Sequence, residues 1–284
     1  KFILLILSKL FLLLLKMEKS SLEDIPVDQE RELDLAIKNV KKQQYHIQTT
    51  IEQNNLRFVL KQTFTMLCEL TTNNLNPKNY FELFNTVYNE MIKVKDYMKV
   101  ELERGRRPED TYESVQQCRL VIPRLYLTIT AGAVYIENSP KKCKELLYDI
   151  LEIIRCVQNP LRGIFTRFYL LKMMKDKLPD EDNVYVKEEG GSLKDTLFFL
   201  LKNLEEMNTL WIRISLNAPD LIKSTKEKER EDLKPLISET ITRLSLLEGL
   251  TIELYENEVL PKLMEIIFMY NDPLSQEYII ECII

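Results

Sequence analysis

Proline divides this sequence at intervals that only long helices fill. The steps Asn76-Pro77, Arg107-Pro108, Ser139-Pro140, Asn159-Pro160, Leu178-Pro179, Ala218-Pro219 and Asp272-Pro273 each favour a helix start and bias the preceding residue away from helical backbone. Between these steps glycine is scarce, 6 residues in 284, where an average protein has about 7%. Turns that need positive φ must therefore be few.

The apolar residues between the breaks repeat with a helical period. Leu33, Ile37, Val40, Ile47 and Ile51 advance by steps of three and four or their sums. Leu193, Leu197, Leu200, Leu204, Met207, Trp211 and Ile214 form a longer stripe, which Phe198 and Leu201 widen beyond a coiled-coil seam. The pattern predicts helices near 29–52, 56–71, 78–104, 109–138, 141–158, 161–177, 192–216, 227–248, 252–270 and 274–284. A helix pair every ~40 residues is HEAT-like spacing, so the expected fold is an all-α solenoid of antiparallel helix pairs. Pro179 to Ser192, acidic and containing Gly190-Gly191, reads as a mobile surface loop. Pro235 either kinks the charged helix that holds it or marks its first turn.

The two ends read differently from the middle. Phe2 to Leu15 is almost wholly apolar, but it is interrupted by Ser8 and Lys9 and is shorter than the ~20 residues a spanning helix needs. Residues 1–16 are expected to be a gene-model extension ahead of Met17, and 17–28 a flexible N-terminus before a solenoid over 29–284. A membrane-anchored adaptor using the leader is the rival reading. The apolar run Glu277 to Ile284 has no polar outer face, which predicts the front portion of a longer solenoid.

A net charge of −5 argues against a nucleic-acid or anionic-lipid surface, so membrane contact is expected to be indirect. Lys223 to Lys234 mixes both signs at helical spacing and reads as an exposed helix face. The five cysteines, Cys68, Cys118, Cys143, Cys156 and Cys282, show no close pairing and are expected to be reduced and mostly buried. The one histidine, His46, has no ligand or base arrangement around it. No phosphate loop, dinucleotide fingerprint, zinc-protease or nucleophile-elbow motif occurs, so no enzyme activity, cofactor or metal is expected.

Two runs carry a resemblance. Val121-Ile122-Pro123-Arg124-Leu125-Tyr126-Leu127 and Asn159-Pro160-Leu161-Arg162-Gly163-Ile164-Phe165-Thr166-Arg167-Phe168-Tyr169-Leu170-Leu171 resemble the PRLYL and PLRG runs of the vacuolar-protein-sorting 35 family, the large scaffold of retromer. Leu210-Trp211-Ile212-Arg213 and Gln276 to Ile284 are similar to the same family in the same order. The resemblance implies a non-catalytic scaffold for endosomal cargo sorting and endosome-to-Golgi transport, cytoplasmic and peripheral on endosomal membranes. It implies an arrestin-fold partner (vacuolar protein sorting 26), a sorting nexin, a Rab-type GTPase and cargo tails. A phosphoesterase-fold partner (vacuolar protein sorting 29) would bind a C-terminal half beyond this sequence. Another HEAT-type scaffold, such as a phosphatase regulatory subunit, is the alternative.

In that family the Arg and Leu of PRLYL lie where the arrestin-fold subunit docks, which implies partner roles for Arg124 and Leu125. The residues themselves suggest that Pro123 interrupts a longer helix, freeing carbonyls near residue 119 beside an arginine able to bind in bidentate fashion. Leu125, Tyr126 and Leu127 could equally be core, with Arg124 satisfying internal groups. The PLRG run reads as structural. Pro160 starts a helix, Gly163 admits a close neighbour, and Arg162 and Arg167 pair or stack between helices beside Tyr169. Leu161, Leu170 and Leu171 complete its apolar side.

Overall fold

The computed structural model describes residues 28–284 other than 182 and 217. The leader and residues 17–27 lie outside the described residues. Asp28 is the N-cap of the first helix, its carboxylate accepting from the Arg31 amide at 3.3 Å.

The long helices are α1 (Gln29–Glu52), α2 (Leu56–Leu67), α3 (Pro77–Glu103), α4 (Pro108–Gln116), α5 (Val121–Asn138), α6 (Cys143–Ile153) and α7 (Pro160–Met173). A short α8 (Val184–Lys187) precedes α9 (Leu193–Leu216) and α10 (Asp220–Ser245). The chain closes with α11 (Ile252–Leu254), a π-helical stretch over Tyr255–Val259, α12 (Leu260–Phe268) and α13 (Pro273–Ile283). Proline occupies the first helical position of α3, α4, α7 and α13, where its missing N–H costs nothing. For α3, α7 and α13 the preceding Asn76, Asn159 and Asp272 also cap the helix through their side chains.

Helices pack mainly on their near neighbours in sequence, which makes the array a solenoid. Two helices act as spines. In the first half α5 packs on α2, α3, α4, α6 and α7; in the second α9 packs on α6, α7, α10 and α12. Between Ile122 and Ile136 every residue of α5 except Arg124 is buried, so this helix has almost no polar face.

Four local expectations need correction. The single helix over 109–138 is two, α4 and α5, separated by Gln117 to Leu120. Pro123 does not lie mid-helix; it stands in the first turn of α5, and because its ring would collide with the carbonyl at 119 in a continuous helix, the stretch is interrupted just ahead of it. Pro179 to Ser192 is not a free loop. Asn183 caps α8 and its amide donates to Leu178 O at 2.7 Å, while Gly190 O accepts from the Lys144 amide at 2.7 Å. The 252–270 helix is interrupted by its π stretch, directly ahead of Pro261, which cannot donate to the preceding turn. Among the cysteines only Cys143 is buried and Cys156 is exposed, so "mostly buried" is also corrected; all five are free thiols.

Phe198 does not widen the α9 core stripe. It is exposed and stacks on Tyr148 of α6 at 4.9 Å, whereas the adjacent Phe199 is buried. Pro235 lies inside α10, which continues through it. Two backbone carbonyls in the turn ahead of it take side-chain donors: Trp211 Nε1 donates to Arg230 O at 2.9 Å and Tyr278 Oη to Lys234 O at 3.0 Å.

Candidate functional site

The start of α5 presents the PRLYL run. Pro123, Leu125, Tyr126 and Leu127 are all buried, and Leu125 and Leu127 have no exposed surface. A partner cannot touch Leu125 in this arrangement, so its part in any docking surface is to shape it. Truncating it to alanine would remove core packing worth about 2–5 kcal/mol.

Arg124 is different. It is half-buried, and its amide closes the first turn of α5 on Leu120 O at 3.1 Å. Its guanidinium makes one long contact, Nη1 to Cys118 O at 3.5 Å, and no carboxylate lies within ion-pair distance among the described residues. Burial pushes the Cys118 thiol up, and the nearby Arg124 charge pulls it partly back. The guanidinium is held beside a carbonyl, with most of its donors free for another acceptor.

Beside it runs a groove of about 660 Å³ between α2 and α4. Leu127, one turn after Arg124 on α5, lines it, as does Cys118, whose carbonyl Arg124 contacts. Leu56, Leu60 and Phe64 of α2 and Val115 of α4 supply its apolar wall. Arg57, Lys61 and Arg106 stand among its lining residues, all three exposed. Arg106 is partly neutralised by Glu101 at 3.5 Å. Leu120 and Val121, exposed just ahead of Arg124, extend the apolar surface.

The PLRG run faces inward. Asn159 caps α7 by accepting from the Arg162 amide at 3.0 Å, and Pro160 takes the first helical position. The Arg162 side chain crosses to the turn before α3, donating to Thr71 O at 3.0 Å and Asn73 Oδ1 at 2.6 Å. A Cβ at Gly163 would meet Leu210 Cδ1 of α9 at 2.7 Å, which is the close approach that glycine permits. Arg167 is buried, with Nη1 3.5 Å from Asn203 Oδ1 and Nη2 3.6 Å from Glu206. Burial pulls it down to about 10 against the opposing pull of Glu206, so it stays charged at neutral pH.

The two motifs meet in the core. Tyr169 stacks on Tyr126 at 4.5 Å and its hydroxyl shares a 2.7 Å hydrogen bond with Thr130. Leu170 and Leu171 are buried around this pair, and Leu161 is half-buried at the helix start. The structure thus buries Pro123, Leu125, Tyr126 and Leu127, joins Tyr126 to α7 through Tyr169, and leaves Arg124 the one residue of the PRLYL run that is not buried.

A second charged site was not visible in the sequence. Arg230, within the mixed-charge run expected to be an exposed face, is 2% exposed. It donates to Asp272 through Nη1 at 3.0 Å and Nη2 at 2.6 Å, donates to Ser215 Oγ at 3.0 Å, and lies 4.8 Å over the Trp211 ring. Burial pushes the Asp272 carboxyl up, but the Arg230 hydrogen bonds, the Ser275 amide and the Arg230 charge outweigh it and hold the group below its usual range. The available signal was positional: Arg230 stands on the same helical stripe as Leu233, Ile237, Thr240 and Leu244.

Among the described residues no three His, Cys, Asp or Glu side chains are grouped to hold a metal ion, and no helix is long and apolar enough to cross a membrane. His46 is half-buried and sits edge-on to Tyr45 at 5.9 Å.

Comparison with known proteins bears on this arrangement. Residues 32–284 match the family described as vacuolar protein sorting-associated protein 35. The chain is 38% identical over 257 residues to vacuolar protein sorting-associated protein 35A of Arabidopsis thaliana, covering 90% of this chain and 32% of that one. It is 35% identical over 257 residues to the Dictyostelium discoideum protein 35, with the same two coverages of 90% and 32%. To the Schizosaccharomyces pombe protein it is 34% identical over 260 residues, 89% of this chain and 30% of the relative. The chain therefore spans about a third of the length of these relatives.

Proposed function

Because the chain belongs to the vacuolar protein sorting-associated protein 35 family, we propose that it is a non-catalytic part of the retromer scaffold and that its Arg124 face docks the arrestin-fold subunit. In this reading the protein works in the cytoplasm, peripherally on endosomal membranes, and supports retrograde transport from endosome to Golgi. Sorting nexin, Rab-type GTPase and cargo tails join through the assembled coat, and the phosphoesterase-fold subunit binds the C-terminal half of the full-length scaffold.

The observation that carries the reading is the isolation of Arg124. It is the one residue of α5 between Ile122 and Ile136 that is not buried, and no carboxylate within the described residues pairs with it. A guanidinium half-desolvated over a carbonyl gains from a carboxylate or carbonyl supplied in trans, in bidentate geometry. The apolar groove beside it provides the area that one charge contact lacks.

The test is co-purification. Coexpressed with the arrestin-fold subunit of the same organism, the 284-residue chain and a version starting at Met17 should both elute with the subunit in gel filtration. Absence of a complex with either refutes the docking reading. A complex formed only by the longer chain would transfer the interaction to the leader.

A further inference from the structure

The groove between α2 and α4 differs in charge from the molecule around it. The sequence carries 44 acidic against 39 basic residues, yet the groove is lined by Arg57, Lys61 and Arg106 and, among the described residues, by no Asp or Glu. Arg57 and Lys61 stand four residues apart on α2, so their charges share one face and repel each other. Leu56, Leu60 and Phe64, also spaced by four, form an apolar row beside them. Val115 of α4 and Leu127 of α5 also line the groove, and Leu60 and Phe64 are only partly buried against the core. The volume, about 660 Å³, is that of a site for a few side chains.

We propose that this groove receives an extended acidic segment of a partner protein, with one bulky aliphatic or aromatic side chain seated against Leu60 and Phe64. Carboxylates flanking that side chain meet Arg57 and Lys61 on one wall and Arg106 on the other. The apolar row supplies the anchor, and the three cations select the flanking charge and orient the segment. The proposal deepens the docking reading, since Arg124 contacts the carbonyl of Cys118, which lines the same groove, but it makes a separate claim about ligand chemistry.

The probe is a random dodecapeptide phage library panned on the 284-residue chain, with counter-selection on the Arg57→Glu/Lys61→Glu variant. Both side chains are exposed and make no hydrogen bond or ion pair among the described residues, so the variant should melt with the wild type. Recovered peptides should carry Leu, Ile, Met or Phe flanked by Asp or Glu. A synthetic copy should bind less tightly as salt rises and lose about tenfold or more in affinity to the doubly reversed variant. Leu60→Asp, checked by its melting curve, should abolish binding without touching the cations. Peptides without carboxylates, or binding indifferent to the reversal, overturn the proposal. Concentration-dependent self-association of the chain that the reversal abolishes would assign the groove to a second copy and also overturn it. A peptide that binds as expected while the arrestin-fold subunit ignores Arg124→Ala would leave this inference standing and remove the docking reading. Subunit binding that needs Arg124, with no acidic peptide selected, would do the reverse.

Discussion

At the scale of single residues, the fold hides one cation and leaves another free. Arg230 is enclosed by Trp211, Ser215 and Asp272, and Asp272 also caps α13 by accepting from the Ser275 amide at 2.8 Å. Removing the carboxylate leaves a buried guanidinium without its counter-charge, so Asp272→Ala should destabilise the protein by about 3 kcal/mol or more, read from denaturant unfolding. Because Asp272 titrates below its ordinary value in the folded state, the unfolded chain binds the proton more readily. Its contribution is therefore complete above the unfolded carboxylate value of about 4 and is lost as pH falls through the lower folded value. Wild type should lose stability in that acid window more steeply than Asp272→Asn, and parallel pH profiles of the two would contradict the assignment. The sequence disclosed Asp272 as a helix cap before Pro273, but gave Arg230 no distinction among the charges of Lys223 to Lys234. Charge alone suggests solvent, and only its place on the Leu233–Ile237 stripe opposes that.

At the scale of elements, proline and apolar period located the long helices to within a residue or two at most proline-marked starts. Those signals are local: Pro77, Pro108, Pro160 and Pro273 each occupy a first helical position. What they could not locate depended on partners distant in sequence. Pro179 to Ser192 has loop composition, yet Gly190 lies so close to the turn before α6 that an added Cβ would stand 1.9 Å from Pro140 O. The Lys144 amide donates to Gly190 O across this contact. Gly190→Ala should therefore lift the segment off α6, raising hydrogen exchange at Lys144 and at the α8 amides while α3 and α5 keep their protection. Unchanged exchange would mean the backbone contact is not what orders the segment. The division of α4 from α5 escaped the pattern for a related reason, since the apolar period runs across Gln117 to Leu120 and only the steric demand of Pro123 separates the helices.

At the scale of the whole molecule, the solenoid uses its two family runs in opposite ways. The PLRG run binds α7 to the turn before α3 through Arg162 and to α9 through Gly163 and Arg167, so it fixes the relative placement of successive helices. The PRLYL run gives Pro123, Leu125, Tyr126 and Leu127 to the core and Arg124 to the surface beside a basic, apolar-walled groove. From the sequence, the resemblance pointed to Arg124 and Leu125 alike, because a motif does not reveal which side of a helix faces a neighbour. The helical arrangement separates them: one residue can meet a partner and the other can only hold the surface that does. The central claim is that Arg124 serves binding and not folding, and the direct measurement is the dissociation constant for the arrestin-fold subunit alongside the melting curve of Arg124→Ala. A loss of about 2 kcal/mol, some thirtyfold in affinity, with an unchanged melting curve is the expected result. Unchanged affinity in a folded variant, or a collapse of stability that accounts for the weaker binding, would contradict it.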